Sequence, residues 1–156
     1  MGDGNRDATR EAMTDLILTL FRVNNLILTW GDRLVAPFGL TSARWQILGA
    51  IVFAERPQPV AWLARDLGAN RQNVQRIVND MKRDGLVGFE PNPHHRRAQL
   101  VVLTEDGRQV YRQAMAAYHP AVDALANELE FDELRSTRRV LALLRDRLTS
   151  ETDGPV

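Results

Sequence analysis

The stretch from Arg71 to Asp84 carries the strongest chemical signal in the chain. Val74, Ile77, Val78 and Met81 recur at i, i+3, i+4 and i+7, the spacing of one buried helix face. The other side presents Arg71, Gln72, Asn73, Gln75, Arg76 and Asn79. A carboxamide offers a donor and an acceptor side by side, which matches an adenine edge, and a guanidinium forks onto guanine or phosphate oxygens. An ordinary solvated face favours Glu–Lys pairs, yet the first two turns here hold neither residue. The chemistry on offer is recognition of a hydrogen-bonding, anionic surface.

A second cationic group lies in the polar loop holding Pro91, Pro93, His94, His95, Arg96 and Arg97. Its arginines can reach phosphates or a narrow minor groove, with His95 beside them. His94, His95 and His119 invite a metal reading, but neighbouring loop histidines chelate one ion poorly, and no cysteine or matched carboxylate spacing accompanies them. No metal and no cofactor are expected. A nucleophile elbow, a phosphate loop and an acid–base pair are likewise missing from the sequence, so an enzyme is not expected. Trp30 and Arg33, with Arg44 and Trp45, form a further candidate, because apolar rings beside cations suit a small aromatic acid. The plain alternative for such tryptophans is core packing.

These groups need elements to hold them. Val60–Leu67, a turn closed by Gly68, and Arg71–Asp84 capped by Asn70 read as a helix-turn-helix. Val87–Glu90 and Gln99–Leu103 read as strands that carry the basic loop between them, a wing. Ahead of these lie a long helix over Ala12–Val35 and one capped by Thr41 running to Ala54, with Trp45, Leu48 and Val52 on one stripe. Behind them, Thr104 caps a helix from Glu105 to about Tyr118, which Pro120 ends or kinks. The last helix, Asp132–Leu148, sets Leu134, Thr137, Leu141, Leu144 and Leu148 three and four apart, a coiled-coil-like seam. Residues 1–8 and 150–156 read as frayed polar tails.

Composition agrees. A chain of 156 residues, 44% hydrophobic, suits one domain with a real core. Net charge is zero, but from Arg65 to Arg97 seven basic residues face four acids, while residues 1–15 hold four acids and two arginines. It is the local field that steers a polyanion. The absence of cysteine fits a reducing cytosol. Leu16–Leu28 is apolar at nine of thirteen positions, and Arg22, Asn24 and Asn25 interrupt it, so a soluble, cytoplasmic protein with no membrane partner is expected. The apolar residues of the first helix wrap more than one face, which calls for a second chain as well as its own core.

The chain resembles the multiple-antibiotic-resistance regulator (MarR) family of winged-helix transcription factors. Leu40-Thr41 with Trp45 and Leu48, Leu63-Ala64 to Gly68, and Arg83-Asp84-Gly85-Leu86-Val87 carry the likeness. Arg96-Arg97-Ala98 and Leu103-Thr104-Glu105-Asp106-Gly107-Arg108 complete it, over roughly residues 12–149. The resemblance implies a mainly α fold with a small β-hairpin wing: a single domain over 1–156, with a winged helix-turn-helix at 41–103 between dimerisation helices at 12–35 and 105–149. It implies a homodimer, acting as a repressor on a pseudo-palindromic double-stranded DNA operator and released by a small aromatic effector. The alternative is a winged helix used for protein contact; such faces favour exposed aromatics and leucines, which the outward side of Arg71–Asp84 lacks. The family's wing usually has aspartates where this chain has Asn92 and His95, and such an aspartate commonly holds the loop's shape. The sequence therefore leaves the rigidity of the wing open. Arg44 also departs from the family's usual glutamine at that place.

Overall fold

A computed structural model describes residues 3–152. In chain order the elements are α1 (Asp3–Val35), a 3-10 turn (Ala36–Phe38), α2 (Ser42–Phe53), β1 (Gln58–Pro59), α3 (Val60–Asp66), α4 (Arg71–Arg83), β2 (Val87–Glu90), β3 (Leu100–Leu103), α5 (Glu105–Ala126) and α6 (Phe131–Thr152). They divide into two compact units, one ending at Tyr118 and one beginning at His119.

The core of the first unit gathers Val35, Leu40, Ile47, Leu48, Leu63, Val74, Val78, Met81, Val101 and Ala114, all buried. Every apolar position of the α4 stripe reaches it: Val74, Ile77, Val78 and Met81 are each at most 8% exposed. Thr104 locks the next joint. Its hydroxyl accepts from the Gly107 amide at 3.0 Å and donates to the Gly85 carbonyl at 2.6 Å, tying the start of α5 to the turn after α4. A side chain at Gly107 would run into the Leu86 carbonyl, so this position tolerates only glycine. At the other end of the unit, the Ser42 amide donates to Asp32 Oδ1 at 2.6 Å and its hydroxyl to the Leu28 carbonyl at 2.8 Å, pinning α2 to α1.

Several expectations are corrected. The wing belongs to a three-stranded antiparallel sheet of order β1-β3-β2, with Val87 opposite Leu103, Glu90 opposite Leu100 and Gln58 opposite Val101. Two residues are too few to show alternation, and Pro59 is tolerated because β1 is an edge strand. The N-terminal tail is helical from Asp3, supported by an Asp7–Arg10 ion pair of 2.8 Å one turn apart. Residues 1–2 and 153–156 of the expected tails lie outside the described residues, and α6 runs to Thr152. Pro120 sits inside α5, which continues to Ala126. Ala116, whose carbonyl loses its helical partner there, and Pro120 itself are both exposed, so water can replace the bond. Val52 is 42% exposed, the α2 stripe having left the core by its last turn.

Among the described residues, large apolar side chains stay exposed on α1 and in the second unit. On α1, Phe21, Leu26 and Ile27 are 66%, 69% and 56% exposed. In the second unit, Leu125, Phe131 and Leu143 are also exposed. By length and composition α1 could also cross a membrane, since an 18-residue window within Gly4–Phe38 has a mean hydropathy of 1.2.

Candidate nucleic-acid interface

The turn between α3 and α4 is set by Gly68, at φ 60°, and by Asn70. The Asn70 carboxamide oxygen accepts from the amides of Gln72 at 2.9 Å and Asn73 at 3.2 Å, satisfying two of the four free donors at the start of α4. With its apolar stripe sunk in the core, α4 can present only its polar side. Arg71, Gln72, Asn73, Arg76 and Asn79 are exposed and Gln75 is half-buried.

These side chains steady one another. Gln75 Nε2 donates to Asn79 Oδ1 at 3.1 Å, and Arg76 Nη2 donates to Asn73 Oδ1 at 3.0 Å. Asp80 accepts from Arg83 and lies 3.8 Å from Arg76. Such contacts between exposed groups add little stability, but they narrow the rotamers that must be fixed on binding.

Between α4 and the wing lies a groove of about 470 Å³. Arg71, Gln75, Asn79, Lys82, Arg83 and Arg97 line it, so four cations and no carboxylate face the space. Lys82 Nζ also stands 5.0 Å from the centroid of the Phe89 ring on β2, which holds the ammonium toward the groove. The structure thus brings Arg71, Gln75 and Arg97 together, while Gln72, Asn73 and Arg76 lie outside this groove on the remaining outward surface of α4. His95 and Arg96 are exposed at the wing tip. Sequence reasoning passed over Lys82 and Arg83 as site residues, although both stand in the basic stretch Arg65–Arg97.

The wing is held by Asn92. Its amide nitrogen donates across the loop to the Ala98 carbonyl at 2.9 Å, and its side-chain oxygen accepts from the His94 amide at 3.0 Å. The His95 carbonyl accepts from the Ala98 amide at 3.0 Å, which closes the turn around Arg96 and Arg97. A neutral carboxamide does here what a carboxylate alone could not, since it donates as well as accepts.

The four residues proposed for an effector separate into two groups. Trp30 and Trp45 both pack against Tyr118 in T-shaped pairs, with ring centroids 6.1 and 5.0 Å away, and Tyr118 joins them from α5. Arg33 is exposed on α1, and Arg44 is ion-paired with Asp84 at 2.7 Å, at the C-terminal cap of α4. Among the described residues, no group of three or more His, Asp or Glu side chains could hold a metal ion.

Comparison with known proteins agrees with this architecture. The MarR family model matches residues 38–98. An uncharacterized protein of Mycobacterium tuberculosis is 37% identical over 139 residues, 85% of this chain and 94% of its own. The transcriptional activatory protein BadR of Rhodopseudomonas palustris is 30% identical over 161 residues, covering 97% of this chain and 89% of BadR. Among solved structures, the Mycobacterium tuberculosis regulator MosR in complex with DNA superposes with a TM-score of 0.71 at 22% identity, over 85% of this chain and 96% of MosR. CouR from Rhodococcus jostii bound to p-coumaroyl-CoA superposes at 0.68 and 22% identity, over 91% and 94%.

Proposed function

The chain belongs to the MarR family of transcriptional regulators, and on that premise we propose that it is a homodimer that binds a pseudo-palindromic DNA operator through α4 and the wing. The observation that carries this reading is the groove between them, lined by four cations, two carboxamides pointing from one helix face, and no carboxylate. Gln72, Asn73, Gln75 and Arg76 read base edges, while Arg71, Lys82, Arg83 and the wing's Arg96 and Arg97 neutralise phosphates.

The dimerisation helices are assigned to residues 12–35 and 105–149, and the winged helix-turn-helix to residues 41–103. Exposed Phe21, Leu26 and Ile27 on α1, with Phe131 and Leu143 on α6, support this assignment. A dimer contact on this apolar surface accounts for the hydropathy of α1 without a membrane, in keeping with a soluble cytoplasmic regulator.

Repression is the proposed sign, by an operator that overlaps the promoter. Because the relative BadR is named an activatory protein, a promoter–reporter assay should read the sign directly. Release is assigned to an aromatic acid at Trp30, Trp45 and Tyr118. Such an acid would draw Arg44 away from Asp84 and loosen the end of α4, so it would favour the conformation that does not bind DNA.

The experiment is sequencing of DNA fragments retained by the purified protein, followed by fluorescence anisotropy on the recovered sequence across a salt series. One recovered motif, bound with a steep salt dependence that Arg97→Ala reduces, supports the reading. Retention of no preferred sequence would leave the winged helix as a protein-contact module.

A further inference from the structure

A second cavity, of about 470 Å³, is lined by the end of α2, by β3 and by the first turns of α5. Its walls are aliphatic, with Ile51 at the end of α2 and Val101 on β3, and Tyr111 of α5 closes one side. Its polar lining is dominated by Arg56, Arg108 and Arg112. Glu105 is shared by Arg108 at 3.5 Å and Arg112 at 3.2 Å, so one carboxylate serves two guanidinium groups. Arg108 also donates to the Leu103 carbonyl at 3.1 Å, which fixes it at the cavity's edge. Arg56 stands beside Glu55 in the lining, so with Glu105 counted, three cations face two anions around the cavity and the balance is +1.

We propose that this cavity is a binding site for a monocarboxylate with an aliphatic body, distinct from the aromatic cluster of Trp30, Trp45 and Tyr118. One net positive charge matches one carboxylate, and the apolar walls match an alkyl chain. The volume lies within the range of small-molecule sites, roughly 300–1,000 Å³. Burial, and after it the neighbouring Tyr118, raises the Tyr111 hydroxyl above the usual tyrosine range, so it stays a neutral donor. Its β3 wall is the central strand of the sheet that carries the wing.

The test is isothermal titration calorimetry of the full-length protein with octanoate and, as a charge-free control, octanol. Octanoate should bind at one site per chain and octanol should bind at least about tenfold more weakly, the equivalent of about 1.4 kcal/mol. Arg112→Gln with Arg56→Gln should weaken octanoate about tenfold or more while leaving the thermal midpoint unchanged, since both side chains lie at the surface. Trp45→Phe should leave octanoate affinity unchanged. Equal binding of octanol and octanoate, binding indifferent to the two arginines, or binding lost in Trp45→Phe would each overturn the assignment, as would no binding at all. None of these readouts involves DNA, so the result stands apart from the operator reading.

Discussion

Helix α4 and helix α1 carry comparable apolar residues and use them in opposite ways. On α4 the stripe of Val74, Ile77, Val78 and Met81 is buried by the same chain, which frees the opposite side for a ligand. On α1 the apolar residues wrap the helix, and Phe21 and Leu26 stay about two-thirds exposed. A narrow stripe is satisfied by one core, whereas a wide one needs further cover. The width of an apolar surface thus tells whether one chain is enough to cover it.

The largest effect should come from α1. Phe21→Glu with Leu26→Glu puts two charges on the exposed apolar surface that wraps α1 and should give a folded monomer by analytical ultracentrifugation. DNA affinity should drop about 100-fold or more, because each half-site would then be held alone. A double variant that remains a dimer would erase the contrast between the helices.

Next is the buried side of α4. Met81→Ala removes a fully buried side chain and should cost about 2–5 kcal/mol of stability in urea unfolding. The outward side should behave differently. Arg76→Ala or Gln75→Ala should leave unfolding unchanged yet cost about 1–3 kcal/mol of operator affinity, with specificity relaxed at one base position. If Arg76→Ala destabilised the fold instead, the two-sided account of α4 would fail.

The smallest effect belongs to the wing. Asn92→Ala loses the bridge between the His94 amide and the Ala98 carbonyl, and should weaken binding by about 0.5–1.5 kcal/mol with no change in preferred sequence. Amide hydrogen exchange at His94 should rise in the same variant. Unchanged exchange would mean that the loop is held by other contacts.

How much was legible follows from the same contrast. The α4 stripe, its Asn70 cap, the glycine stops and the Thr104 cap all speak through residues a few positions apart, and the structure bears each of them out. The aromatic cluster was half legible: Trp30 and Trp45 stood out by type, but Tyr118 joins them from far along the chain. Strand β1 was hidden because Gln58-Pro59 is a strand only by virtue of β3, more than forty residues later. Of the two outcomes expected at Pro120, the ending does not occur: α5 continues, because water can reach the freed Ala116 carbonyl. The wing's rigidity was open in the sequence because it rests on a bond across the loop: Asn92 stands where a carboxylate is usual and reaches the Ala98 carbonyl with a donor that a carboxylate lacks.

In the proposed dimer, two copies of α4 read one operator. Hydroxyl-radical footprinting on the recovered DNA tests it most directly, with the wild type and Arg76→Ala compared at equal occupancy. Two protected half-sites should appear about one helical turn apart, near 10 base pairs centre to centre, both altered together by the substitution. A single unsplit footprint bound by one chain would contradict it.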